Sequence, residues 1–167
     1  MAQYLFANGA SPTTAAQVAV TTGTAIKTML QMKGVTGVQF KVIEWGISFD
    51  GSAAATPIKC ELLETGTVFA TVTAAAAADI AKWGDPNAPT STTFFSVGTT
   101  ATGFTSTAEG TITVSRMFDP QFIAPTNQYV KQFPLGREPG VNADSALRIR
   151  VTAGTAVNCY CYVIVEV

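Results

Sequence analysis

FKVIEWGISFDGSAAATPIKCELLETGTVFATVT, residues Phe40 to Thr73, is the stretch around which the fold is read. Ile43, Trp45, Ile47 and Phe49 put a large apolar side chain at every second position. Side chains alternate sides along an extended chain, so this is a strand with one buried face. Asp50-Gly51 follows, a dipeptide suited to reversing the chain because Gly accepts positive φ. Ile58 to Leu63 is again strand-like, Gly66 breaks the chain, and Val68 to Val72 forms a third run. The expectation is three antiparallel strands packed around Trp45.

Outward from this stretch the pattern repeats. Gln17 to Thr21 and Ile26 to Met32 are candidate strands separated by Gly23. Thr111 to Phe118 alternates Ile112 and Val114 with Thr and Ser. Leu147 to Val151 alternates apolar residues with Arg148 and Arg150, cations expected to be solvated or paired with carboxylates. From Ala156 to Val167, Val157, Cys159, Cys161, Val163 and Val165 share one face, and the end of the run is apolar on both faces, which places it centrally in a sheet. Eight or nine short strands with turn signals about every ten residues point to an all-β sandwich or barrel. A long excursion over residues 84–110, with an apolar island at Phe94, Phe95 and Val97, favours jelly-roll crossovers over a meander. The one helical signal is the run of five alanines after Thr73, which with Ile80 to Trp83 predicts a helix of about two turns.

The domain organisation expected is an extended N-terminal arm over residues 1–16 and one β-sandwich domain over residues 17–167. The arm is rich in Ala, Thr and Ser and carries an anchoring cluster at Tyr4, Leu5 and Phe6, suited to lying across a neighbouring subunit. Residues 118–139 hold four prolines together with Phe118, Phe122, Tyr129 and Phe133. Proline removes a ladder donor from a central strand, so this segment belongs at a sheet edge or in a loop. Pro139-Gly140 suits the centre of a type II turn. Aromatics and Arg dominate the energetics of interfaces, which makes Tyr4, Phe6, Phe122, Tyr129, Phe133 and Arg137 the candidate contact residues.

The chain has 167 residues, a size for one domain that buries roughly 70% of its unfolded surface without disulfides or metals. Charged residues are 13%, about half the usual share of roughly 25%. The polar surface must then be mostly hydroxyls and amides, which cost far less than charges to bury against a neighbour. A net charge of −1 gives no electrostatic footprint for nucleic acid. No apolar run is long enough for a membrane helix, and the N-terminus lacks the pattern of a secretory signal, so synthesis in a cytoplasm is expected. Three cysteines argue against a disulfide framework. The chain has no His, which removes Ser-His and Cys-His pairs and His-containing metal sites. No phosphate-binding glycine motif occurs. Glu44 and Glu61, read as lying on neighbouring strands, are the one carboxylate pair to weigh as a sugar cleft. No enzymatic activity, cofactor or metal is expected.

Four segments carry a family resemblance: KVIEWGISFDGSAAATPIKCELLETGTVFATVTA (41–74), DPNAPTST (85–92), PTNQYVKQFPLGREPGV (125–141) and LRIRVTAGTAVNCYCYVIVEV (147–167). They resemble small structural proteins of tailed bacteriophages, over most of residues 38–167. The resemblance implies a β-sandwich or jelly-roll protein of the virion, sitting on the capsid exterior as a decoration (cement) protein. It further implies the phage major capsid protein as partner, often in a homotrimer around three-fold positions, with no catalytic motif. On this reading the arm and residues 118–139 supply the contacts, and removing residues 1–12 weakens capsid binding without unfolding the domain. The alternative is a tail- or fibre-associated module that binds a host carbohydrate, which requires exposed aromatics over a groove.

Overall fold

In a computed structural model, which describes residues 1–52 and 56–167, the chain forms thirteen described strands. They are β1 (Gln3–Ala7), β2 (Val20–Thr21), β3 (Ile26–Lys33), β4 (Phe40–Phe49), β5 (Ile58–Glu64), β6 (Thr71–Ala74), β7 (Ile80–Lys82), β8 (Gly103–Ala108), β9 (Arg116–Ile123), β10 (Gln128–Gln132), β11 (Gly140–Val141), β12 (Ala146–Thr152) and β13 (Asn158–Glu166). Two antiparallel sheets face each other. One runs β10-β4-β13-β1-β7, with β11 beside β4 and β2 beside β13; the other runs β6-β8-β3-β12-β5-β9. This is the all-β sandwich expected. The apolar faces meet in one core containing Trp45, Phe40, Tyr4, Phe6, Leu30, Met32, Leu62, Ile149 and Val163.

Strand neighbours differ from the expectation. Among the described strands no two consecutive in the chain pair with each other. The stretch from Phe40 to Thr73 is not a three-stranded meander: β4 lies in one sheet, β5 in the other, and β6 pairs with β8. Periodicity reports which face of a strand is buried but not which strand lies beside it. Asp50-Gly51 is accordingly a crossover, not a hairpin turn. The Asp50 carboxylate accepts hydrogen bonds from the Asn158 backbone and side chain at 3.2 and 3.1 Å. Gly51 is there for space: a Cβ would fall 2.7 Å from Val157 and 2.8 Å from Pro125. Within β4 the alternation also slips. Glu44 pairs with Ile164 and Val42 with Val165, so Ile43 is the extra residue of a bulge, and the buried set is Phe40, Val42, Trp45, Ile47 and Phe49.

The segment expected as an arm supplies β1, which sits between β13 and β7 with Tyr4 and Phe6 fully buried. The Tyr4 ring packs edge-on to Phe95, which packs in the same way on Phe40. Residues 1–16 thus share the core of residues 17–167. The alanine run is not a two-turn helix. Ala77–Asp79 makes a single 3₁₀ turn, and Ile80–Lys82 joins the sheet as β7. An isolated helix of two turns is marginal in water, whereas Ile80 gains a ladder to Phe6 and burial. Residues 110–115 form no strand, and Val114 is exposed; the regular element begins at Arg116.

Edge and centre assignments hold. β9, which carries Pro120, is the edge of the six-stranded sheet, and β10 is the edge of the seven-stranded one. β13 is central. The turn at residues 134–140 falls earlier than expected: the Arg137 amide donates to the Pro134 carbonyl at 2.9 Å, with Gly136 at φ 80, while Gly140 is extended in β11. Arg148 and Arg150 are paired with carboxylates, one of the two outcomes expected: Arg148, fully buried, lies 3.4 Å from Glu109, and Arg150 lies 2.8 Å from Glu61. The Arg148 guanidinium bonds to the Glu109 carbonyl at 3.0 Å and to the Val68 carbonyl, so loops cover the outside of β12.

Deletion of residues 1–8 is expected to abolish the cooperative thermal transition seen by circular dichroism, because it removes an interior strand; a melt like that of the intact chain would refute this placement of β1. With every ladder joining distant segments, refolding from urea is expected on the millisecond-to-second scale, and stopped-flow Trp fluorescence measures it.

Candidate functional site

The side of the sandwich formed by β9 and β10 is where buried polarity and exposed apolar surface meet. Asp119 on β9 points between the sheets and is 3% exposed. Its carboxylate accepts hydrogen bonds from Trp45 Nε1 at 3.0 Å, the Tyr129 hydroxyl at 3.0 Å and Gln121 Nε2 at 2.8 Å, and it pairs with Lys131 Nζ at 3.3 Å. Trp45, Tyr129 and Lys131 belong to β4 and β10 of the opposite sheet. One carboxylate therefore clasps the two edges. Each of its oxygens has partners, which is the condition for burying a charge. Burial, then the hydrogen bond to Asp119, pushes the Tyr129 hydroxyl up to about 12, so it remains a donor.

Around this clasp stand the exposed side chains. Phe122 on β9 is 76% exposed, and Leu135 at the turn after β10 is 97% exposed. Met117 is also exposed; Val130 is exposed too, but it pairs with Gly46 and faces out of the seven-stranded sheet. Cations cover two half-buried rings on the same segments: Lys131 lies over the Phe133 ring and Arg116 over the Phe118 ring. Arg116 also pairs with Glu64 and donates to the Gly140 carbonyl, tying the start of β9 to the segment before β12.

Of the six candidate contact residues, four lie on this side. Phe122 and Arg137 are exposed, while Tyr129 and Phe133 are half-buried against the core. Tyr4 and Phe6 are not surface residues; they are interior, and the Tyr4 hydroxyl donates to the Pro89 carbonyl at 2.8 Å. Asp119, Met117, Val130 and Leu135 were not among the residues read from sequence. Asp119 stands between Phe118 and Pro120, and its one signal in the sequence is a lone charge within an aromatic run.

Glu61 and Glu44, the carboxylates weighed as a cleft, each make contacts within their own sheet. Glu61 is held on the outside of the six-stranded sheet by Lys59 at 2.7 Å and Arg150 at 2.8 Å. Burial alone would raise its carboxyl, but the hydrogen bonds from Lys59 and Arg150 outweigh burial and hold it below its ordinary value near 4.5. Glu44 is on the outer face of the other sheet, bonded by the Tyr162 hydroxyl at 2.5 Å. Glu44 and Glu61 are thus not on neighbouring strands, and the thickness of a sandwich, about 10 Å between sheets, separates them. They form no shared cleft. Cys60, Cys159 and Cys161 are buried free thiols, and burial pushes the Cys60 and Cys161 thiols up, away from the reactive thiolate. Among the described residues no group of three or more metal-ligating side chains occurs, and no helix is long and apolar enough to cross a membrane. Comparison with protein-family models, with curated proteins and with solved structures found no match.

Asp119→Ala is expected to cost about 3–5 kcal/mol, since it strands buried donors and the Lys131 charge, and Tyr129→Phe about 1 kcal/mol; urea unfolding measures both, and equal effects would contradict the clasp. Because the folded-state Glu61 carboxyl titrates below its unfolded value, its ion pairs contribute stability above about pH 4.5 that is lost as pH falls further. Glu61→Gln should therefore lower the melting temperature at pH 7 and flatten its dependence below pH 4.5.

Proposed function

We propose that this chain is a structural protein of a tailed-phage virion, a decoration protein that binds the outer surface of the major capsid lattice and stabilises the head. Binding proceeds through the β9–β10 side. The observation that carries the reading is the exposure of Met117 and Phe122 on β9 and of Leu135 at the turn after β10, with Arg116, Lys131 and Arg137 along the same two segments. Exposed aromatic and aliphatic side chains accompanied by Arg have the composition of an interface, and a repeating array multiplies contacts that are individually modest. The resemblance of residues 38–167 to small phage virion proteins supports the same reading. A homotrimer at three-fold positions would give each copy a closed set of neighbours. Tyr4 and Phe6 take no part in these contacts, because they are inside the fold.

The test adds purified protein to heads that lack it and measures retained protein after sedimentation. The wild-type chain is expected to saturate the particles. The double variant Phe122→Ala/Leu135→Ala, with its melting temperature unchanged, is expected to bind at least tenfold more weakly. Undiminished binding by that variant would refute the assignment of this side, and no binding by the wild-type chain would refute the capsid role.

A further inference from the structure

The outer face of the seven-stranded sheet is a second surface, lying on the face opposite the core. Register fixes what stands on it. One row runs Val130, Gly46, Tyr162 and Ala7 across β10, β4, β13 and β1. The next runs Gln128, Ser48 and Tyr160. On the far side lie Gln132, Glu44, Ile164 and Leu5. Their chain neighbours Trp45, Ile47, Cys161 and Val163 are in the core, so these side chains point out.

The small residues in the middle leave a shallow groove of about 140 Å³, walled by Tyr160 and Tyr162 on one side and by Gln128 and Val130 on the other. Gly46 is required by this arrangement. A Cβ there would fall 2.9 Å from Cζ of Tyr162 and 3.0 Å from its hydroxyl oxygen, so the ring lies across the glycine, along the sheet. Both rings are pinned by their hydroxyls: Tyr162 donates to Glu44 at 2.5 Å and Tyr160 to the Gln17 carbonyl at 2.6 Å. Tyr160 is still 42% exposed. Two residues apart on a strand, the rings are offset by about 6.7 Å.

We infer that this groove binds a neutral oligosaccharide. A sugar ring has a C–H face and a rim of hydroxyls. Fixed aromatic faces stack on the first without an ordering cost, and the Gln128, Ser48 and Gln17 side chains offer donors and acceptors to the second. The three rows contain no Lys or Arg, so a phosphate- or sulfate-bearing ligand finds no counter-charge. Val130 is the single strongly exposed aliphatic residue there, too little for a lipid or an apolar peptide. The site is separate from the capsid contacts, and it makes the protein a carrier of surface glycan recognition as well as a structural part.

The experiment titrates the full chain with cellohexaose, chitohexaose, maltohexaose, mannohexaose and a heparin hexasaccharide, reading calorimetry and two-dimensional amide NMR. At least one neutral probe is expected to bind saturably and to shift the Gly46, Ser48, Tyr160 and Tyr162 amides. Tyr160→Ala is expected to weaken that binding at least tenfold; should it lose its cooperative melt, Gln128→Ala takes its place, with a severalfold loss expected. Binding to heads by the same variants is expected to be unchanged, which separates this site from the capsid reading. The inference is overturned if no neutral probe binds, if only the heparin probe binds, if the shifts fall elsewhere, or if the folded variant binds as the wild type does.

Discussion

The Asp119 carboxylate holds the two sheets together along the β9–β10 side, and the proposed contact surface is built on that attachment. β9 and β10 are each an edge of their own sheet. Without a link between them, this side of the sandwich would be two loose strands with the core opening between. The link is polar because its donors are the indole of the central Trp45 and the hydroxyl of Tyr129, both of which need an acceptor when buried. A carboxylate that accepts three hydrogen bonds and pairs with Lys131 meets that need. Its consequence reaches the surface: with β9 and β10 fixed, Phe122 and Leu135 are presented on a rigid frame.

Other buried polar side chains follow the same rule. Arg148, Glu109 and Gln31 lie on the outside of the six-stranded sheet, where they fasten loops onto it. The Gln31 amide alone bonds to the Ala101 carbonyl at 2.7 Å and to Ala70 through both its oxygen and its nitrogen. Charges spent on internal fastening are not available to keep a surface well solvated. A chain with 13% charged residues is therefore left with hydroxyls, amides and apolar groups to face outward. That is the physical link between the fold and a role among neighbours.

The all-β character was legible because apolar residues recur at every second position in β12, in β13 and in β4 beyond its bulge at Ile43, and the edge role of β9 was legible because Pro120 cannot donate to a ladder. Pairing was not legible. Every described ladder joins strands that are not consecutive, and nothing local in Asp50-Gly51 says whether the chain turns back or crosses to the other sheet. The alanine run and the N-terminal segment misled for a shared reason: weak local preference yields to burial, and β1 and β7 pair with each other inside the sheet. Of the candidate site, the aromatics of residues 118–139 were visible as composition. Asp119 was not, because a buried carboxylate and a solvated one look alike until its partners from the other sheet are in place.

The proposed role makes a quantitative demand on the virion. A decoration protein follows the stoichiometry of the lattice it covers, whereas a tail or fibre component follows that of a single appendage. Quantitative mass spectrometry of purified particles, with the major capsid protein as internal standard, measures this ratio directly. The account predicts hundreds of copies per particle, in a simple ratio to the capsid protein; a handful of copies, or none, would contradict it.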